Sequence, residues 1–364
     1  MAVEPRKELQ EIKPYVPGKP IEELKRQLGI QGEILKLASN ENPLGTSPKA
    51  VEAMKTNIDK MYLYPDDECF YLKERLSKHL DVSVENIIIG NGSVELILLS
   101  ALSYLSPNSE FIMGNQGFAM GKIAAQFMGA KFRGIPEKDY KHNLQAISDA
   151  INDKTRIVYI DNPGNPLGTK LSAGEIENFI NSIPDNVLVI LDEAYYEFVK
   201  DNDFPDSLKF VKDKKNVLVL RTFSKIYGLA GLRIGYGIAP LDIINTIRKT
   251  RLPFNVNRMA QIAALAALED DDHIKHTLEI NDTGKKYLTE EFDKMGIFYI
   301  PSVTNFITIK TKLDGITLFS ELQKRGVIIR PLANYGMPEF VRITIGTMKD
   351  NEIFIKNLKE ILSV

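Results

Sequence analysis

The sequence predicts an α/β protein. A large domain, in which helices cover a mostly parallel sheet, is followed by a smaller α+β domain at the C-terminal end. Three observations carry that expectation. From about residue 40 onward, apolar β-like runs alternate with helical stretches: NIIIG then SVELILLSALSYL, EFIMG then FAMGKIAAQFMGA, followed by KFRGIP, RIVYI, VLVILD and NVLVL. Runs that are apolar at every position suit strands buried on both faces, and the alternation suits parallel strands joined by crossover helices. After RLPFNVN the texture changes. An Ala-rich amphipathic helix (257–269) and a charged helix are followed by strands NFITIK, VIIRPL and VRITIG with helices between them. Finally, 364 residues are too many for one small core and fit a large unit plus a smaller one.

Taken in order, residues 1–40 hold the Pro-rich stretch KPYVPGKP and read as an arm lying over another part of the protein. Residues 41–253 form the large domain and 254–364 the small one, with PFNVN as the hinge region. Ser172-Ala-Gly-Glu175 has the spacing of a capping box before an apolar helix.

Composition narrows the function classes. A formal net charge of −2, with Lys and Arg scattered, gives no electrostatic reason to expect nucleic acid or an anionic membrane as partner. The single cysteine, Cys69, excludes an internal disulfide framework and a cysteine zinc site, and suits a reducing compartment. The N-terminal MAVEPRKELQ is too charged for a signal peptide and no apolar run approaches a membrane span, so a cytoplasmic location is expected. His273 and His276 in DDDHIKH have i, i+3 spacing, but they sit in a helix charged all round with no third ligand in view; no metal site is expected.

In an open parallel sheet, ligands bind at the carboxyl ends of the strands. NIIIG ends in Gly90-Asn-Gly92-Ser93, RIVYI in Asp161-Asn-Pro-Gly-Asn165, VLVIL in Asp192-Glu-Ala-Tyr195, and NVLVL in Arg221-Thr-Phe-Ser224-Lys225. The glycines followed by a serine suit an anion at a helix N-terminus. A dinucleotide fingerprint is disfavoured because Glu95 replaces the third glycine, and no P-loop pattern occurs. An anion cradle, a strand-end acid and a strand-end lysine on one rim instead suit pyridoxal phosphate. That cofactor needs a lysine amine, an acid for its ring nitrogen and a phosphate site. Arg233 adds a planar fork for the phosphate.

The motifs KPYVPGKPIEELKRQLG, KLASNENPLG, LYPDD, NPGNPLG, LDEAYYEF, RTFSKIYGLAGLRIGYG, TNF and VRITIGT run almost end to end. In them the chain resembles the fold-type I, aspartate aminotransferase-like pyridoxal phosphate enzymes and, among these, the histidinol-phosphate aminotransferase family. The resemblance implies that Lys225 binds the cofactor covalently and carries the proton, while Asp192 pairs with the ring nitrogen. It implies that Tyr195 and Asn165 bond the ring hydroxyl and that Phe118 stacks on the ring. Ser93 and Val94, through backbone N–H groups, would hold the phosphate with Ser224 and Arg233. Tyr64 would reach that phosphate in a neighbouring subunit of a homodimer. Tyr15, Asn40, Arg330 and Arg342 would bind substrate, the last arginine taking its anionic end. The implied reaction moves the amine of L-histidinol phosphate to 2-oxoglutarate, giving imidazole acetol phosphate and glutamate in histidine biosynthesis. Aromatic amino-acid transamination, threonine-phosphate decarboxylation on the same scaffold, and a cofactor-binding protein without turnover remain open alternatives. Departures from the family pattern fall at Val94, Asn115-Gln116, Gly121, Gly164 and Leu167.

Overall fold

The structure is a computed structural model describing residues 3–10, 12, 14, 21–29 and 32–363. A short strand, β1 (Leu35–Lys36), precedes those of the main sheet: β2 (Ile87–Gly90), β3 (Glu110–Gly114), β4 (Lys131–Ile135), β5 (Thr155–Asp161), β6 (Leu188–Asp192), β7 (Val217–Thr222) and β8 (Gly235–Ile238). These seven pair in the order β2-β8-β7-β6-β5-β3-β4. The ladders β3–β4, β3–β5, β5–β6 and β6–β7 are parallel, and β8 alone runs against its neighbours β2 and β7.

The two-residue period sorts each central strand between two cores. Val158, Ile160, Val189, Leu191, Val217 and Val219 enter one apolar cluster, while Ile157, Tyr159, Leu188, Ile190, Leu218 and Leu220 enter the other. Both faces are therefore dry, as the unbroken apolar runs foretold.

The second sheet is antiparallel, built from β9 (Phe298–Ile300), β10 (Phe306–Lys310), β12 (Arg330–Pro331) and β13 (Phe340–Thr344) in the order β12-β13-β10-β9. Between them, β11 (Val327–Ile328) pairs in parallel with β1, and Leu24, Ile34, Ala38 and Ile328 pack together there. Closer to the N-terminus, Arg6 donates to the Phe127 carbonyl, so residues near the start of the chain touch the helix Met120–Phe127 beside the main sheet as well.

The apolar core does not change over at residue 254. Val256 and the helix Arg258–Ala267 lie in the core of the main sheet, with that helix packed on Pro48–Lys55. Alanine at 260, 263, 264 and 267 permits the close approach. The changeover instead runs along the helix Asp271–Lys294, which packs Ile274 and Leu278 against the first core and Leu288 and Phe292 into the core of the second sheet. The sequence signalled a change of texture, not which core the alanines face.

Candidate active site

The carboxyl ends of β5, β6 and β7 and the start of the helix Ser93–Tyr104 converge on a cavity of about 250 Å³. Ser93, Val94, Phe118, Asn165, Asp192, Tyr195, Ser224, Lys225 and Arg233 all line it, joined by Ser39, Glu41, Tyr159, Asp161 and Thr222.

Asp192 ends β6 and is buried. Its partners are neutral donors: the Tyr159 hydroxyl at 2.7 Å to Oδ2 and the Ala194 N–H at 3.1 Å to Oδ1. Burial raises the carboxyl to about 7, with the Tyr159 hydrogen bond pulling the other way and Asp161 adding to the rise. Such an acid stays ionised at neutral pH when a cation is brought to it.

Lys225 follows β7 by three residues, and its Nζ donates to the Ser39 carbonyl at 3.1 Å. Burial, then Arg342 and Arg233, lower its amine to about 8, while Glu41 and Asp192 resist the change. An amine so lowered is far more often neutral near physiological pH than a surface lysine. It stands 5.6 Å from the centre of the Tyr195 ring. The Tyr195 hydroxyl accepts from Asn40 Nδ2 at 2.8 Å and from Asn165 Nδ2 at 3.3 Å, and burial pushes the phenol above its ordinary range.

Two glycines shape the anion cradle. A Cβ on Gly92 would come within 2.6 Å of the Arg233 guanidinium, and one on Gly235 would meet the Ser93 backbone N at 2.5 Å. Gly92 at φ 76° and Arg233 at φ 58° both adopt left-handed backbone. The result brings the positive end of the helix Ser93–Tyr104 and a guanidinium fork to one corner, an arrangement suited to phosphate.

Arg330 and Arg342 are buried and face each other across the β12–β13 ladder. Neither lines the cavity directly; Arg342 reaches it by donating to Asn165 Oδ1 and, at 2.7 Å, to the Ala38 carbonyl. Asn40, at φ 56°, is fixed by Thr344 Oγ1, 2.9 Å from its N. Tyr64 is not at the cavity of its own chain. It is 77% exposed and stacks on Phe254 at 4.7 Å. Tyr15 lies outside the described residues.

Gly121 and Leu167, among the departures, have local explanations. Gly121 faces the core, where a Cβ would approach Met113 Sδ to 2.9 Å. Leu167 packs with Ile300, Leu332 and Tyr335. A Cβ on Gly164 would find its nearest atom at 3.7 Å, so that glycine is not required by space. Tyr159 escaped the sequence reading, although it lies two residues before Asp161 and therefore on the same face of β5. Glu41 and the Ser39 carbonyl come from a loop that no strand-end argument reaches.

Lysine, acid and anion cradle at the carboxyl rim of such a sheet define a fold-type I aminotransferase architecture. The histidinol-phosphate aminotransferase of Sinorhizobium meliloti, solved in complex with pyridoxal-5'-phosphate, superposes with a TM-score of 0.91 at 26% identity, covering 98% of this chain and 97% of that one. The aspartate aminotransferase of Thermotoga maritima shares the fold at a TM-score of 0.85 and 20% identity, covering 94% and 96%. Residues 32–358 match the model for aminotransferase class I and II, and the chain belongs to that family. Among similar proteins, the histidinol-phosphate aminotransferase 2 of Carboxydothermus hydrogenoformans is 47% identical over 360 residues, covering 99% of each chain. The histidinol-phosphate aminotransferase of Moorella thermoacetica is 46% identical over 359 residues, covering 98% of this chain and 93% of its own.

Proposed function

We propose that this chain is a pyridoxal phosphate-dependent aminotransferase that carries the amine of L-histidinol phosphate to 2-oxoglutarate, within histidine biosynthesis. The observation that carries the reading is the meeting, in one cavity, of Lys225 with a buried acid, Asp192, held by neutral donors. Its force comes from relatives 46–47% identical that bear the histidinol-phosphate aminotransferase name. The residues present fit the cofactor: the cradle at Gly92, Ser93, Gly235 and Arg233 is one that a Cβ would fill.

When bound, pyridoxal phosphate supplies an aldehyde for amine exchange and a ring that accepts the electron pair of the broken Cα–H bond. Lys225 would hold the cofactor covalently, and its amine, once free, would take the proton from the substrate Cα and give it back as general acid. Asp192 would pair with the ring nitrogen and hold it in its protonated form. Tyr195, fixed by Asn40 and Asn165, would bond the ring hydroxyl, and Phe118 would pack against the ring. Ser93, Val94, Ser224 and Arg233 would hold the phosphate. Arg342, with Arg330 beside it, meets the anionic end of the substrate, whether a phosphate or the distal carboxylate of glutamate. Tyr15 and Asn40 complete the substrate side.

A homodimer is part of the same reading. Ile58, Tyr62, Tyr64, Tyr71 and Leu252 are exposed large apolar side chains around the segment that carries Tyr64, as expected of a surface awaiting a second copy that sends Tyr64 into the partner's phosphate site. A cytoplasmic setting suits a chain whose single cysteine is buried. Among the described residues no helix is long and apolar enough to cross a membrane.

The test compares kcat/KM for L-histidinol phosphate, phenylalanine, tyrosine and threonine phosphate with 2-oxoglutarate as acceptor, reading glutamate formed and carbon dioxide released. The proposed activity requires L-histidinol phosphate to lead by at least tenfold. A lead by an aromatic amino acid, or carbon dioxide release from threonine phosphate, contradicts it.

A further inference from the structure

Asp161 and Asp192 end neighbouring parallel strands in register, and both line the cavity. Two buried carboxylates side by side disfavour one another's ionised form unless one charge is cancelled. Asp161 has a partner for this. His142 Nε2 lies 2.7 Å from Asp161 Oδ1, with both side chains buried. The other oxygen, Oδ2, accepts the Asn165 N–H at 2.7 Å. Asn165 in turn reaches the Tyr195 hydroxyl and receives Arg342.

The surroundings are cut to fit this pair. A Cβ on Gly114 would come within 2.4 Å of both His142 Nδ1 and Glu137 Oε1, and one on Gly117 within 3.1 Å of Asp161 Oδ1. Glu137 Oε1 accepts the Gln116 N–H at 2.7 Å, so the departure Asn115-Gln116 belongs to the same cluster. The charged and titratable groups facing the pair are Glu137 beside His142, and Asp192 with Tyr159 beside Asp161; Tyr140, Lys141 and Lys170 border the outer side. Burial works to lower His142, but Asp161 and Glu137 outweigh it and hold the imidazole above its ordinary range.

We propose that the His142–Asp161 ion pair is a positioning device for the cofactor site. It anchors the loop that carries Asn165 and cancels the charge of Asp161, so that the cofactor's ring nitrogen meets one uncompensated carboxylate, Asp192. The inference rests on the roles proposed above for Lys225, Asn165 and Asp192. Both residues act through others: His142 stands behind Asp161, and Asp161 holds the Asn165 N–H.

The experiment is a pH titration of the visible absorbance of the lysine-bound cofactor in holoenzyme, for wild type, His142→Gln, Asp161→Asn and the double variant. Without His142, the uncancelled Asp161 carboxylate favours the protonated, cationic linkage. The midpoint of His142→Gln is expected to rise by about one pH unit, a tenfold gain in proton affinity. Asp161→Asn and the double variant are expected to stay within about 0.3 unit of wild type, because neither leaves a carboxylate at position 161 and, without it, burial disfavours the charged form of His142. A merely structural pair changes thermal stability and leaves the midpoint where it was. An unmoved midpoint in His142→Gln, or a double variant shifted as far as His142→Gln, overturns the proposal. Should His142→Gln fail to fold, adding Asp161→Asn is expected to restore folding; a double variant that also fails to fold overturns the proposal. A wild type that forms no visible adduct with pyridoxal phosphate contradicts the role of Lys225 instead.

Discussion

Burial disfavours the charged forms of both Lys225 and Asp192 when the cavity lacks a cation and a covalent partner. The folded Lys225 amine titrates near 8, below its ordinary value, so the unfolded chain binds more protons between about 8 and 10.5 and stability rises with pH across that window. Asp192 titrates near 7, above its ordinary value, so the folded chain binds more protons between about 4 and 7 and stability falls as pH rises there. Cofactor binding relieves both groups: the lysine becomes part of a covalent linkage and the acid gains a cation. The gain in Tm on adding pyridoxal phosphate is therefore expected to grow from pH 5 to pH 7.5, reaching on the order of 5 °C or more. Differential scanning fluorimetry of apo- and holo-protein at several pH values checks this, and a gain independent of pH contradicts it. Lys225→Ala is expected to abolish the borohydride-stable adduct while keeping the fold; an adduct that persists assigns the covalent role elsewhere.

At the scale of elements, the site depends on how closely β8 presses on the start of the helix Ser93–Tyr104. The would-be Cβ of Gly235 meets backbone there, 2.5 Å from Ser93 N and 2.9 Å from the Arg221 carbonyl, and backbone cannot swing aside. Gly235→Ala is expected to weaken pyridoxal phosphate binding at least tenfold, measured by equilibrium titration, through displacement of the N–H groups that hold the phosphate. Gly164→Ala, where the nearest atom lies at 3.7 Å, is expected to bind as wild type does. The same scale shows what was legible from the amino-acid order. The strands of the main sheet were readable because unbroken apolar runs must bury both faces of a strand in two cores, and the strand-end rule then brought Asp192, Asn165 and Lys225 to one rim. Tyr159 was hidden because a tyrosine inside an apolar strand looks like core, and only the register of β5 with β6 aims its hydroxyl at Asp192. His142 was hidden for a different reason: it lies nineteen positions from Asp161 in sequence and meets it only because Gly114 leaves room. Which core the alanine helix joins was not legible, because period and composition do not say which of two cores a small-residue face will enter.

For the whole molecule, the proposed dimer ties the site to a surface. Tyr62 and Tyr71 stand largely in solvent in the single chain, near the segment that bears Tyr64. Tyr71→Glu is expected to shift sedimentation toward the monomer mass of 41.0 kDa and to lower activity at dilute protein, with recovery at higher concentration. A variant that stays dimeric and fully active places the interface on another face. The central claim, that this scaffold takes its amine from L-histidinol phosphate, is tested most directly by a single half-reaction. Holoenzyme is mixed with L-histidinol phosphate without any keto acid, and the visible band of the lysine-bound cofactor is followed to the near-ultraviolet band of its aminated form. The expected result is full conversion in one turnover, reversed by 2-oxoglutarate. No conversion with L-histidinol phosphate, alongside rapid conversion with phenylalanine or tyrosine, contradicts it.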